Sequence, residues 1–421
     1  MKQKILSYMD EHKEELFENL CSMISINTEN NGKSGHEKPL AFYIQSELEK
    51  LGIESDVYSP DDIENIFSHE DYLEGRGLAE RTNVTGILKG KSGKKSLMLA
   101  AHLDTVPIGD KALWTVEPIK GIINDGKIWG RGACDDKYAL AAWLFLAKAI
   151  KELGIELDND LYLTGYVDEE FGGGNGALAC SLKYPTDLCI NLDCKDFLIW
   201  HCASGGRQLE IDIKHKESQD SCLAVMAGLE IVKDELLSFG QKKREELESN
   251  PFYRGTVIPA SALRILTYGC GFSDNDMHVG RVRFEYCTDR SAEEIERECA
   301  DLYGRIDSRL APLEMQIDKV IYEGRLFKYG YTDPKNENIL LLKDSALKAA
   351  GIEPRVCGSC QSDLSVFLTN TKGTAFSFGI GRGFGEYGGA HQPDEYIECE
   401  KLLNFAKVLA HFVLSWDETN K

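Results

Sequence analysis

The stretch SLMLAAHLDTVP, residues 96–107, decides the fold. Its opening run is apolar or small on both faces, the pattern of a strand covered from either side in a helix-flanked sheet. It then ends in a histidine and, two residues on, a carboxylate: His102 and Asp104. Two further stretches finish in the same way. LYLTGYVDEE (161–170) runs into Asp168, Glu169 and Glu170, and LCINLD (188–193) runs into Asp193. Open α/β sheets hold their ligands just outside the carboxyl ends of strands. Three apolar strands that each finish in a metal-binding side chain are poorly explained as solvated decoration.

Outward from these strands the chain alternates between sheet and helix. NVTGILKG (83–90) reads as another core strand, and IINDGKIWG (122–130) as a hairpin turning at Asp125-Gly126. Tyr138 to Leu153 is helical, stopped by Gly154. Residues 1–55 read as two helices joined by a polar loop, Asn27 to Lys38, with Pro39 near the second start. The acidic segment Ser59 to Arg81 reads as loop or short helix. From about Phe197 the texture changes. RQLEIDIKH, GRVRFEYCTD and EMQIDKVIY are period-2 strands with charged outer faces, and helices lie near Cys222–Gln241 and Ala292–Leu310. After about Tyr331 the α/β texture returns, with helix Asn336–Ala350, strand AFSFGIG (375–381) and helix Lys401–Trp416. The expectation is one α/β domain, residues 1–196 and 331–421, with a central mixed sheet flanked by helices. An α+β module of antiparallel sheet and two helices interrupts it at 197–330. There are no internal repeats.

Composition narrows the function. The chain has 421 residues, 43% hydrophobic and 28% charged, an ordinary globular balance with room for two domains. Lys+Arg number 48 against 69 Asp+Glu, a formal charge of −21, so a nucleic-acid backbone is not the expected partner. No stretch approaches the roughly 18 apolar residues of a membrane helix, and MKQKILSYMDEHKEELFENL lacks the apolar block of a signal peptide. No membrane is expected, and a cytoplasmic setting is. Thirteen cysteines without framework spacing fit reduced, half-buried thiols. Cys357-Gly-Ser-Cys360 is one CxxC; a zinc ribbon would need a second pair, and a redox pair stays open.

The chemistry sits in five motifs: His102-Leu-Asp104, Asp135-Asp136, Asp168-Glu169-Glu170, Asp193, and His391 in GGAHQPDEY (388–396). Imidazole nitrogen with carboxylate oxygen is the donor set of a hydrolytic zinc, with manganese or cobalt as substitutes. Two histidines and several carboxylates can serve two ions sharing a bridge. Asp104 is placed to hold the His102 tautomer from behind. Glu169-Glu170 offers one ligand and one neighbouring base. Taken singly, each motif has a bland reading. A lone HxD is usually structural, an EE pair is usually surface, and DD after a glycine-rich turn is usually an Asx turn. Gly172–Gly174 is not followed by the Lys-Ser/Thr of a phosphate loop.

Together, RTNVTGILKG with LMLAAHLDTVP, GKIWGRGACDDK, TGYVDEEFGG and GRGFGEYGGAHQPDEYIE resemble, in order, the motifs of a known family. It is the dinuclear zinc amidohydrolase family of aminoacylase, acetylornithine deacetylase, succinyl-diaminopimelate desuccinylase and carboxypeptidase G. The resemblance covers roughly residues 1–196 and 331–421. It implies that His102 and Asp193 hold one zinc, Glu170 and His391 the second, and that Asp135 bridges both. It implies Glu169 as general base and acid, Asp104 behind His102, and a cis peptide at Asp135–Asp136. The activity implied is metal-assisted hydrolysis of an amide in a small N-acyl amino acid or short peptide. A dipeptidase is the nearest alternative. A non-catalytic metal-binding relative that holds a small molecule or partner is a more distant one, and an intact Glu169 speaks against it.

The inserted module departs from the family pattern. The segment that would carry a lid histidine reads IDIKHKESQDSC, and only His201, His215 and His278 lie near. GFSDNDMHVG lacks the proline of a substrate-binding Asn-x-x-Pro, leaving Asn275 as the candidate analogue. Arg290 resembles an arginine that holds a substrate carboxylate, a role suited to bidentate geometry, though a salt-bridged strand arginine is an equal reading. A second arginine of the family is replaced by Ser365. The family's homodimer, built through this module, is implied with the same reservation about the lid.

Overall fold

The computed structural model describes residues 1–216, 222–272 and 278–421. Leu97 to His102 are all buried, because strand Ser96–His102 runs through the middle of a mixed sheet. It lies parallel to Asp160–Tyr166 on one side and to Leu188–Asn191 on the other. His102 is in register with Tyr166, and Ala100 with Asn191, so the three strands end at one level. Thr374–Phe378 continues the parallel set beyond Leu188–Asn191. Asn83–Leu88 and then Glu54–Tyr58 close the other side antiparallel. Glu54–Tyr58 had no strand signal: ESDVY is short, half polar and at the edge.

Helices cover the sheet. Lys137–Glu152, sequence KYALAAWLFLAKAIKE, is buried almost throughout. Its alanines let it lie close to strand Ser96–His102 and between helices Lys13–Ile24 and Cys399–Thr419. The expected first helix is two, Lys2–Glu11 and Lys13–Ile24. The break is His12, whose ring stacks back on Tyr8 with centroids 4.2 Å apart while its Nδ1 meets Glu15 at 2.9 Å. Ser59 to Arg81 forms short 3-10 turns, in keeping with its polar composition. A small antiparallel sheet, Ile122–Asn124 with Lys127–Trp129 and Tyr396–Glu398, follows the Asp125-Gly126 turn. Both turn residues have the positive φ that such a hairpin requires. This sheet ties the start of GRGACDDK to the end of GGAHQPDEY.

The chain divides into two units: residues 1–201, 331–356 and 366–421, and residues 202–330 with 357–365. The second unit is a four-stranded antiparallel sheet ordered Leu263–Phe272, His278–Thr288, Gly205–His215, Met315–Phe327. Its core joins Leu209, Ile211 and Phe284 to Leu236 of helix Cys222–Ser249 and Ile306 of helix Ala292–Leu310. A capping box between Ser291 and Glu294 starts the latter helix. Segment 357–365 was not separated in the sequence reading. It belongs to this unit through Gln361 Nε2 donating to Tyr286 O at 2.7 Å and Arg325 Nη2 to Asp363 Oδ1 at 2.7 Å. None of the thirteen cysteines, all among the described residues, is joined in a disulfide. Among the described residues no helix is long and apolar enough to cross a membrane.

Candidate metal centre

The carboxyl ends of the three parallel strands converge on one cluster in the first unit. Asp135 lies between the two imidazoles: its Oδ1 is 3.0 Å from His102 Nε2, and its Oδ2 is 3.2 Å from His391 Nε2. Glu170 Oε2 is 3.0 Å from the same His391 nitrogen. His102, Asp135 and Asp193 each offer a ligand atom within 4.8 Å of the others, and so do Asp135, Glu170 and His391. The five residues come from five separate strand ends or loops, and Asp135 belongs to both groups. The peptide between Asp135 and Asp136 is cis, as the resemblance implied.

Electrostatics favour positive charge here. At His391 burial opposes the charged ring, yet Glu170 and Asp135 outweigh it and hold its pKa up at about 11. At His102 burial is again opposed, chiefly by Asp135, and the pKa stands well above the imidazole value. Asp136 is not aimed at the cluster. It accepts the His102 N–H at 3.3 Å, and burial lifts its pKa well above the carboxylate value. His102 Nδ1 bonds the main-chain carbonyl of Asp104 at 2.9 Å, which leaves Nε2 as the ligand nitrogen.

Asp104 therefore acts differently from the expectation. Its carbonyl oxygen, not its carboxylate, orients His102; the carboxylate is 3.8 Å away. That carboxylate instead accepts the N–H of Glu169 at 3.1 Å and of Glu170 at 2.9 Å. The Glu169-Glu170 turn is held from its other side as well. Arg76 Nη2 donates to Glu170 O at 3.0 Å, and Asn30 Nδ2 reaches Asp104 Oδ2 at 2.8 Å. Asp168, in the left-handed region at φ 68°, accepts Arg76 Nε and Arg81 Nη1, each at 2.8 Å. Arg81 in turn pairs with buried Glu37. Gly173 closes the turn, since a Cβ there would lie 1.9 Å from Asp168 O. Gly172 and Gly174 on either side of it adopt positive φ, 68° and 106°. Glu169 is the half-buried member of the turn, and its charge is felt at His102.

Glu395 braces the Asp135 loop. It accepts Arg131 Nη1 at 2.7 Å, Gly132 N–H at 3.1 Å and Cys134 N–H at 2.8 Å. Lys137, fully buried, donates to the carbonyls of Met23 and Ile26, and desolvation brings its pKa down to about 7. Asn30, Glu37, Arg76, Arg81 and Glu395 were not singled out from sequence. Only Arg81 and Glu395 carried a signal, by standing inside quoted motifs.

The residues considered for substrate lie elsewhere in the chain. Arg290 belongs to the second unit, where Nη2 meets Glu246 Oε1 at 3.3 Å. Asn275 lies outside the described residues. His201 Nδ1 bonds Thr332 O at 2.7 Å, His215 Nε2 is 3.6 Å from Glu314, and the His278 ring lies tilted against Phe272 with centroids 4.7 Å apart.

Comparison with known proteins agrees with the geometry. Residues 98–415 match the profile of Peptidase family M20/M25/M40. The chain is 24% identical to N-formyl-4-amino-5-aminomethyl-2-methylpyrimidine deformylase of Bacillus subtilis, over 98% of this chain and 97% of that one. It is 28% identical to the deformylase of the same name from Halalkalibacterium halodurans, over 49% of this chain; that match spans only 43% of the relative. The di-peptidase Dug1p of Saccharomyces cerevisiae shares the fold with a TM-score of 0.74 at 16% identity, over 99% of each chain.

Proposed function

The chain belongs to Peptidase family M20/M25/M40 and is a hydrolase of amide bonds; on that premise we propose that it removes an acyl group from a small N-acyl compound, an N-acyl amino acid above all, using two divalent ions. The observation that carries this reading is Asp135, whose two oxygens each face a different imidazole. That is the placement of a carboxylate bridging two cations. The donor set fits them: one nitrogen and two carboxylates on either side, with Asp135 counted in both. His102 and Asp193 would hold one ion, Glu170 and His391 the other. When bound, such a pair polarises the amide carbonyl and lowers the pKa of an attacking water. The pure nitrogen–oxygen donor set suits zinc, with cobalt or manganese as alternatives.

Glu169 is assigned as general base and acid: it takes a proton from the attacking water and passes it to the departing nitrogen. Asp104, Arg76 and Asn30 fix the backbone on which it stands. Arg290 is assigned to the substrate carboxylate, and Asn275 to the substrate side. A purely binding role would leave Glu169 without a use. Thirteen cysteines outside any disulfide support a reducing, cytoplasmic setting. A homodimer through the second unit is supported by strand Leu263–Phe272. It stands at the end of its sheet, paired along one side only among the described residues, with Ile265, Tyr268 and Phe272 exposed.

The test is hydrolysis of a panel of N-acyl amino acids, N-formyl amines and dipeptides by metal-loaded protein. Deacylation exceeding dipeptide cleavage is expected, and the reverse order makes the chain a dipeptidase. Glu169→Gln should keep its metal and lose at least about 100-fold in turnover. Near wild-type turnover by the loaded variant would remove Glu169 from its role.

A further inference from the structure

Two loops that supply the ligands Glu170 and His391 also present uncovered aromatic rings. Phe171, which directly follows Glu170, is 51% exposed. Phe384 is 55% exposed, and its ring meets the His391 imidazole edge-on, with centroids 4.9 Å apart and planes at 61°. Tyr387, on the same loop as Phe384, has its hydroxyl tied to Asp394 Oδ2 at 3.0 Å while its ring is open. The opposite half of the centre differs. His102 is backed by Tyr166, which is fully buried. Exposed rings thus stand on the loops that carry Glu170 and His391, whereas the ring beside His102 is buried.

Both rings are held at their base and free at their tip. Phe171 has φ 61°, a left-handed backbone that is uncommon for a bulky residue and concentrates at functional sites. Its stem sits against Gly32, where a Cβ would come within 3.6 Å of Phe171 Cβ. Phe384 stands between Gly383 and Gly385, and its carbonyl accepts Gln392 Nε2 at 2.9 Å. Exposed rings beside a cluster of charges gain most from covering by a hydrocarbon group.

We propose that Phe171 and Phe384 form an apolar clamp at the Glu170–His391 end of the metal centre, which takes the hydrocarbon portion of the substrate and selects amides bearing an extended aliphatic or aromatic group over formyl and acetyl compounds. The proposal rests on the amide-hydrolase reading, but its test does not. Titration calorimetry of the zinc-saturated full chain with straight-chain monocarboxylates, acetate through octanoate, reads the clamp directly. Each methylene buried should tighten binding about fourfold over the first few carbons. Phe384→Ser and Phe171→Ser should flatten that dependence and leave acetate binding unchanged, while Phe384→Leu should keep most of it. No chain-length dependence in the wild type, or an undiminished one in both serine variants, overturns the clamp. So does loss of acetate binding in Phe384→Ser, which would make the ring a support for His391. Chain-length dependence without hydrolysis of any amide would sink the catalytic reading and leave the clamp standing. Hydrolysis with a flat dependence would do the reverse.

Discussion

Replacing Arg81 by methionine tests the ionic cradle behind the glutamate pair. The guanidinium is fully buried. It donates Nε to Glu37 Oε1 and Nη1 to Asp168 Oδ1, each at 2.8 Å, and lies 3.9 Å from Asp104 Oδ2. Methionine keeps much of the volume without the charge. Of the three carboxylates around it, Asp168 would keep Arg76, whose Nη2 lies 2.7 Å from Asp168 Oδ1, while Glu37 and Asp104 would lose the Arg81 charge. Removing one side of a buried pair costs about 3–5 kcal/mol. That is a large part of a total stability of about 5–15 kcal/mol.

The cost should depend on pH in a defined direction. Burial first, and then the Asp104 charge, already push the Glu37 pKa up to about 7 despite Arg81. Without Arg81 it rises further above its unfolded value, so folding takes up a proton. Stability lost with the cation is then partly recovered at low pH and falls as pH rises toward and beyond 7. The deficit of Arg81→Met should be smaller at about pH 5.5 than at about pH 8. Adding Glu37→Leu removes the orphaned carboxylate and should return about 2 kcal/mol at the higher pH. Urea unfolding followed by tryptophan fluorescence suits the measurement. All five tryptophans (Trp114, Trp129, Trp143, Trp200 and Trp416) lie in the first unit, so the signal is that unit's own. A loss below about 1 kcal/mol at pH 8, equal losses at both pH values, or strict additivity with Glu37→Leu would refute the reasoning.

Other outcomes follow from the same geometry. Asp135→Asn should weaken both ion sites, and metal analysis should find fewer than two ions per chain, whereas His391→Ala should leave the His102 site filled. Glu395→Gln keeps the shape but weakens the acceptor of Arg131, Gly132 and Cys134; metal affinity measured by chelator competition should fall about 10–100-fold. Arg290→Met should raise KM for substrates with a free carboxylate and leave kcat nearly unchanged. An equal effect on an uncharged amide would mark Arg290 as a partner of Glu246 alone. Removing metal with a chelator should abolish hydrolysis, and zinc, cobalt or manganese should restore it to different extents.

Three of the candidate ligands, His102, Glu170 and Asp193, stand out because each is announced locally. An apolar strand that stops in His102, in Asp168-Glu169-Glu170 or in Asp193 carries both its fold and its chemistry within about ten residues, and period and burial are short-range signals. The cradle has no such announcement. Arg81 meets Glu37 and Asp168 at separations of 44 and 87 residues, and Arg76 meets Asp168 at 92. An arginine in a polar stretch such as Ser59 to Arg81 looks solvated until the sheet forms. Asp104 shows the limit most sharply. Its distance from His102 in sequence suggested the correct neighbourhood, but which of its oxygens faces the imidazole depends on where the Glu169 and Glu170 amides lie, and those arrive on the turn after another strand. The carbonyl turns to His102 because the carboxylate is taken by two N–H donors and Asn30. The same residue thus couples the orientation of one ligand to the position of the proposed base. Asp104→Asn, which keeps the carbonyl but offers the two amides only one oxygen acceptor, should therefore depress kcat more than it weakens metal at the His102 site. An equal loss in both would mean that the carboxylate, not the carbonyl, governs the imidazole.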